Sequence, residues 1–399
     1  MNHCSIAYTF YESDYRVRRC SEAFAGPGNR VDVIALKGDG AKGRGVLNGV
    51  NIYRIQRRNF DEKGPFSYLF KILSFFIKGS VLLLFNHLKY RYKVIHIHSV
   101  PDFLVFMALI PKLLGARIIL DIHDVLPEFY CQKFGRGFNT MLAKSLLFVE
   151  KMSVRFADHV IIANDLWRDK ILTRDRVSRE KCTSLLNYPN LEFFKEKQNT
   201  PKSNGLRIIY PGSLSHHHGL DVAIKALHIV KEELPSVRLD IYAHSWISEY
   251  RKSLNDLIDE LDLKENVKFF HPVKVEELAR IYQKVDIGIV PKRAGLFASQ
   301  AFSTKIFDFM ASGIPIIASK TQVDEYYFND SMIMFFEPEN VEELARCIIK
   351  LHKDPKKGQS MAQNAKKFIA NNNWGVKKHI YLDLIDFLTD KYRYQSNKA

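Results

Sequence analysis

The residues best suited to chemistry lie in Phe302–Ser319, FSTKIFDFMASGIPIIAS, which carries one lysine, Lys305, and one carboxylate, Asp308. Its pattern predicts a short helix with Ser303 at the N-cap, a Gly-x-Pro turn, and a buried strand over Pro315–Ala318. A helix N-terminus offers free backbone N–H groups and the positive end of a dipole, which suits a diphosphate. Asp308, one turn further on, could grip ribose hydroxyls. The segment has the makings of half a sugar-nucleotide site, although an amphipathic helix-turn-strand would serve any α/β protein.

Four other places carry candidate groups. Gly212-Ser-Leu-Ser-His-His-His-Gly219 follows a predicted strand, and its two glycines would let backbone approach a ligand. His216, His217 and His218 are consecutive and point different ways, a poor metal signature. Leu120-Asp-Ile-His-Asp-Val-Leu-Pro-Glu128 sets His123 and Asp124 at a strand's carboxyl edge, where an imidazole could touch substrate or meet a developing charge. Tyr8–Arg16 joins the first strand to the first helix, and its Glu12, Asp14 and Arg16 could bind an acceptor. Lys292 and Arg293 follow a fourth strand and could neutralise a leaving diphosphate. His96 and His98 face one way within a strand and read as packing or cleft lining. No metal site is expected. The Tyr8–Arg16 loop holds no G-x-G-x-x-G, and P-loop, H-E-x-x-H and G-x-S-x-G motifs are missing from the chain.

These groups need strands to position them. Short apolar runs alternate with helical patterns, which predicts βαβ units and parallel sheets. The predicted strands of the first half are Ser5–Phe10, Val31–Leu36, Asn51–Gln56, Val94–His98, Arg117–Ile122 and His159–Ala163. Those of the second half are Leu206–Pro211, Arg238–Ala243, Val267–Phe270, Asp286–Val290, Pro315–Ala318 and Met332–Phe336. A 399-residue chain exceeds the usual single core. The expectation is an α/β protein of two Rossmann-like domains facing across a cleft, residues 1–195 and 196–375, divided at the polar stretch Leu191–Gly205. A final helix, within 376–399, would pack back on the first domain.

Charge is uneven. Residues 1–200 hold 31 Lys and Arg against 19 Asp and Glu, whereas residues 201–399 hold 28 against 25. The basic residues are scattered through amphipathic segments, which disfavours a nucleic-acid groove. Phe66–Tyr92 is strongly apolar but broken by Lys71 and Lys78, so it reads as too short to span a bilayer. It could be a core helix or a helix lying on an anionic membrane surface. Five scattered cysteines without a C-x-x-C pair point to reduced thiols. With an N-terminus unlike a signal peptide, they point to a cytoplasmic protein.

Taken together, LDIHDVLPEFY, EKMSVRFADHVIIAN, YPGSLSHHHGLDVAIKAL and AFSTKIFDFMASGIPIIAS resemble the retaining GT-B glycosyltransferases of family 4, the group 1 type. The resemblance implies an acceptor domain followed by a nucleotide-sugar domain, with the sugar nucleotide as co-substrate and no cofactor or metal. It makes His123 the group near the transferred sugar, Asp308 the ribose carboxylate, and Ser303, Thr304 and Lys305 the diphosphate cradle. It implies front-face transfer in which the leaving diphosphate helps deprotonate the acceptor. Three departures stand out. The family's paired glutamates, eight apart, are Gln300 and Asp308 here. Gln300, a catalytic position by this correspondence, lacks the negative charge. The loop's usual Arg and Lys are Ser213 and His218, which leaves Lys292, Arg293 and Lys305 to neutralise phosphate. The function expected is transfer from a UDP-sugar to a glycan or lipid-linked acceptor at the cytosolic membrane face. The alternatives are a catalytically weakened partner of the same fold and a nucleotide-sugar epimerase.

Overall fold

The computed structural model describes residues 1–58, 65–135, 137–194, 205–243 and 248–396. The chain divides into two compact units, Met1–Asn187 with Lys378–Ala399, and Tyr188–Lys377. The expected linker stretch falls largely on 195–204, outside the described residues.

The first unit is built on eight strands: β1 (Asn2–Ala7), β2 (Arg30–Lys37), β3 (Arg44–Leu47), β4 (Val50–Arg57), β5 (Val94–His98), β6 (Arg117–Ile122), β7 (His159–Ile162) and β8 (Cys182–Ser184). Their order is β3-β4-β2-β1-β5-β6-β7-β8, parallel throughout except for β3 against β4. The helices of this unit are α1 (Tyr15–Phe24), α2 (Pro65–Tyr90), α3 (Leu109–Leu113), α4 (Leu126–Phe134), α5 (Met141–Phe156) and α6 (Asp165–Asp175). With helices on both faces, the central strands are apolar runs rather than alternations. All five residues of β5, VIHIH, are buried.

The second unit has six parallel strands: β9 (Arg207–Gly212), β10 (Arg238–Ala243), β11 (Val267–Phe270), β12 (Ile287–Val290), β13 (Ile316–Ser319) and β14 (Met334–Phe336). Their order is β11-β10-β9-β12-β13-β14. Its helices are α7 (Leu220–Glu233), α8 (Ser248–Glu260), α9 (Val275–Tyr282), α10 (Thr304–Ser312), α11 (Gln322–Tyr327), α12 (Val341–Lys353) and α13 (Pro355–Asn371). Ile208, Ile224, Leu239, Ile289, Ile317 and Ile348 form the centre of its core. The last helix, α14 (Trp374–Ser396), starts in this unit, and from Lys378 on it belongs to the first. There Tyr381 is fully buried and bonds His96.

Both sheets are doubly wound, so each has a point where the strand order reverses. It lies between β1 and β5 in the first unit and between β9 and β12 in the second. Chains leave adjacent strands there in opposite directions and open a crevice at the carboxyl edge. The loops singled out from the sequence stand at or beside these two points.

Every predicted strand forms, with differences at the ends. β1 starts at Asn2 rather than Ser5, because its pairing with β5 runs from His3↔Val94 to Ala7↔His98 and stops where β5 stops. Two strands were missed. β8 is three residues long, and β3 is an edge strand joined to β4 by the two-residue turn Asn48-Gly49, both with positive φ (49° and 79°). That Asn-Gly pair is a strong hairpin signal and could have revealed β3. Within α2, Ser67–Tyr90 is long and apolar enough to cross a membrane. Lys71 and Lys78 therefore do not make it too short, which corrects the expectation. Its two ends nevertheless join β4 and β5 of one sheet, so it runs across that sheet as a crossover helix.

One glycine is demanded by geometry. Gly219, ahead of α7, has φ +67°, and a Cβ there would lie 1.8 Å from the Pro291 carbonyl oxygen. Arg293 N donates to His217 O at 3.0 Å, so the loops after β9 and β12 are pinned together at this spot. Gly219→Ala is expected to lower unfolding free energy in urea by about 2 kcal/mol or more; an unchanged midpoint would show that the two loops can separate at no cost.

Candidate active site

In the first unit the carboxyl edge is organised around Asp121, at the end of β6 and fully buried. Arg16, on the first turn of α1, reaches it in bidentate fashion, Nε to Oδ2 at 2.9 Å and Nη2 to Oδ1 at 2.7 Å. Its Nη1 donates to Leu185 O at 2.8 Å. Burial opposes ionisation of Asp121, yet Arg16, and then His123, hold its carboxyl well below the usual range. Three imidazoles surround Oδ2: His98 Nδ1 at 3.3 Å, His123 Nε2 at 3.4 Å and His96 Nε2 at 3.6 Å. Burial pushes His96 down to about 3 and His98 down to about 4, so both are neutral near pH 7. His98 Nδ1 and His123 Nε2 are 3.2 Å apart, which fixes the His123 ring from behind while part of it stays exposed. Burial raises the carboxyl pKa of the neighbouring Asp124.

Donor atoms of His96, His98 and Asp121 lie within 4.8 Å of one another, close enough to suggest a metal. The donor set does not fit one. Both Asp121 oxygens already accept from a guanidinium, and a dication would sit against that fixed positive charge. The trio expected to bind acceptor is also committed elsewhere. Arg16 is corrected from a substrate group to the counter-ion of Asp121. Asp14 caps α1, accepting from Val17 N at 3.1 Å, and Glu12 pairs with Arg54.

In the second unit, α10 starts beside the β9–β12 switch point. Ser303 occupies its N-cap position without making a cap bond, and its buried Oγ has no partner among the described residues. Thr304 is exposed at the first helical position. Lys305 lies along Gly212. That glycine has φ +144°, and a Cβ on it would meet Lys305 Cε at 2.4 Å and Nζ at 2.9 Å, so the missing side chain is what admits the lysine. Burial, and then Lys292, lower Lys305 to about 8 against the opposing pull of Asp308. Burial raises Asp308 to about 7, against Lys305. Among the described residues neither has an ion-pair partner within 4 Å.

The other candidate cations are already answered. Lys292 Nζ is 2.7 Å from Asp324 Oδ2, both buried, and donates to Ala301 O at 3.0 Å. Arg293 is clamped between Asp221 and Glu339. This corrects both from phosphate ligands to structural pairs. His218 Nδ1 lies 2.9 Å from Ser213 O and 3.4 Å from Ser213 Oγ. Burial, and then Lys305, keep the His218 imidazole neutral. Gln300 Nε2 donates to Gln322 Oε1 at 3.0 Å.

Sequence comparison decides what this arrangement belongs to. Residues 192–368 match the family described as glycosyl transferases group 1, and residues 14–187 match the glycosyl transferase 4-like domain. The chain belongs to the group 1 glycosyltransferases. It is 26% identical over 204 residues to the O-antigen chain mannosyltransferase RfbU of Salmonella typhimurium, an alignment covering 51% of this chain and about half, 52%, of that relative. The fold is that of sucrose-phosphate synthase from Thermosynechococcus elongatus, with TM-score 0.76, 19% identity and all of both chains covered. It is also that of Anabaena Alr3699/HepE, solved in complex with UDP and glucose, with TM-score 0.72, 15% identity, and 96% and 98% covered. This is the GT-B fold of two Rossmann-like domains.

Within this glycosyltransferase, sequence reasoning passed over Asp121, although the signal was there. Asp121 near the end of β6 pairs with His98 on β5, and His123 follows just past the strand end, so the i, i+2 spacing of Asp121-x-His123 and His96-x-His98 brings the four groups together. Asp324, fully buried against Lys292, was missed because the rest of α10, all of β13 and the start of α11 separate it from Asp308. Arg16→Ala is expected to cost about 3–5 kcal/mol of stability by leaving Asp121 buried and unpaired, measured by urea unfolding. A variant that unfolds like wild type but shows a raised acceptor KM would return Arg16 to the substrate.

Proposed function

We propose that the protein transfers a sugar from a nucleoside-diphosphate donor, a UDP-sugar, to a glycan or lipid-linked acceptor with retention at the anomeric carbon, on the cytoplasmic side of a membrane. One observation carries this reading: Lys305, a cation without a carboxylate, lies over Gly212 beside the start of α10. A diphosphate bound there would meet the Lys305 ammonium, the orphan Ser303 hydroxyl and the free N–H groups of the helix. Asp308, one turn on, would take the ribose hydroxyls. HepE, which shares the fold, was solved with UDP and glucose, and that supports uridine. The name of RfbU supports a glycan product.

In this mechanism the acceptor hydroxyl attacks the anomeric carbon on the face the diphosphate leaves. The bond from that carbon to the diphosphate oxygen breaks, the glycosidic C–O bond forms, and the acceptor proton passes to the departing diphosphate. Lys305 and the helix dipole stabilise the charge that develops on the leaving group. The first unit's contribution is assigned to His123, held by Asp121 and His98, with Asp124 beside it. Gln300 brings no charge to the donor sugar, and the nucleoside grip falls to Asp308. An epimerase would consume no acceptor, so incorporation of labelled sugar into acceptor separates the two chemistries.

Donor affinity should be bell-shaped in pH. Below about 7 Asp308 takes up a proton and loses its hold on ribose; above about 8 Lys305 loses the charge that faces the diphosphate. Titration calorimetry with UDP from acid to alkaline pH is expected to show tightest binding between these values. Lys305→Ala should weaken binding by roughly 10-fold or more and flatten the alkaline limb. Asp308→Ala should do the same to the acid limb. Binding that ignores both substitutions removes the second unit's strand edge as the donor site, and tighter binding of GDP than of UDP changes the nucleobase.

A further inference from the structure

α2 is apolar on two sides, and the fold uses only one. Ile72, Phe75 and Leu83 are buried against the sheet. Gly79 lies against Met107, where a Cβ would come within 2.2 Å of the methionine methyl. The opposite side carries Phe70 (74% exposed), Leu73, Ile77 (64%), Val81, Phe85 (67%) and Leu88, an unbroken stripe along the helix. α3 packs beside α2 and continues the stripe with Leu113, 78% exposed. α5 packs on the same 3-10 segment, Asp102–Ala108, and shows Met141 and Phe148 outward. An exposed apolar patch of this extent marks a covered surface.

The charges say what covers it. Residues 65–93 contain no Asp or Glu and five Lys or Arg. At 100° per residue, Lys71, Lys78 and Lys89 fall in one column along the edge of the stripe. Glu150, the one carboxylate of α5, is fully buried. A second copy of this chain docked with its α2 antiparallel across a two-fold axis would set these cations against each other. An anionic bilayer answers both features, since its headgroups meet the lysines and its acyl boundary takes the aromatic and aliphatic stripe. α2 is held along its length and joins two strands of one sheet, so it would lie in the membrane plane rather than cross it.

We infer that the outward faces of α2 and α3, flanked by α5, seat the first unit on an anionic lipid bilayer. This deepens the lipid-linked acceptor reading and rests on it only for the acceptor, since the surface is defined without reference to the donor site.

The test uses the full chain without donor. It should sediment with vesicles made of equal parts phosphatidylcholine and phosphatidylglycerol, and far less with phosphatidylcholine alone. Phe70→Ser, Ile77→Ser and Phe85→Ser together should reduce sedimentation about tenfold or more, with UDP binding retained. Lys78→Gln with Lys89→Gln should weaken it mainly at low salt. Because the triple variant removes large side chains, Ile77→Trp supplies a second readout, a blue shift of the added emission on mixing with anionic vesicles. Wild-type protein that stays in the supernatant, a triple variant that sediments like wild type, or an added tryptophan that does not shift would each overturn the inference. So would a dimer in solution that the triple variant converts to monomer, which would give the face to a second copy. Loss of vesicle binding with UDP affinity intact would leave the donor-site reading standing.

Discussion

A charge taken out of water must be answered by another charge, and at both strand edges this requirement sorts the ionisable groups into occupied and available. Arg16 is spent on Asp121, Lys292 on Asp324, and Arg293 on Asp221 and Glu339. Arg174, between Glu128 and Glu150, obeys the same rule away from either edge. Lys305 is the exception. It is desolvated enough for its pKa to fall to about 8, yet only weaker influences favour its charge, the more distant Asp308 and the Tyr210 ring 5.2 Å from its Nζ. An anion from outside would complete that balance, and the proposed donor site is this lysine together with the open start of α10.

Backbone makes this exception possible. Only a residue without a Cβ leaves the space over β9's last position in which Lys305 lies, and only a glycine turns into α7 under the Pro291 carbonyl. The parallel sheet then sets both loops at the point where the strand order reverses. The proposed diphosphate site depends less on the side chains of the Gly212 loop than on where that loop lets another element's lysine go. His218 illustrates the point, since its ring turns to the Ser213 carbonyl and stays neutral.

The first unit uses the same principle for rigidity. Neutral His96 and His98 fill a strand that would otherwise be wholly apolar; His96 Nδ1 bonds Tyr381, His98 Nδ1 bonds His123, and both rings lie against Asp121. The partly exposed His123 is held by this network rather than by its own loop. On the flank of the same unit, α2 buries one apolar side and leaves the other bare. One unit thus carries a pre-set imidazole at its strand edge and an apolar, basic face on its helices.

Sequence alone determined the α/β class, twelve of the strands, the strand-end placement of His123, Gly212 and Lys292, and the helical placement of Asp308, because apolar periodicity and glycine punctuation are local signals. It also sufficed to mark Ser303–Asp308 as the start of a helix. What tertiary structure decided was partnership. That Arg16 belongs to Asp121, 105 positions away, that Lys292 finds Asp324, and that Lys305 slides over Gly212 are facts about which ends the sheets bring together. No spacing along the chain encodes them. The physical reason is that the worth of a charge depends on its surroundings in space. A lysine reads the same in every sequence, and only the packed fold says whether it has already been answered.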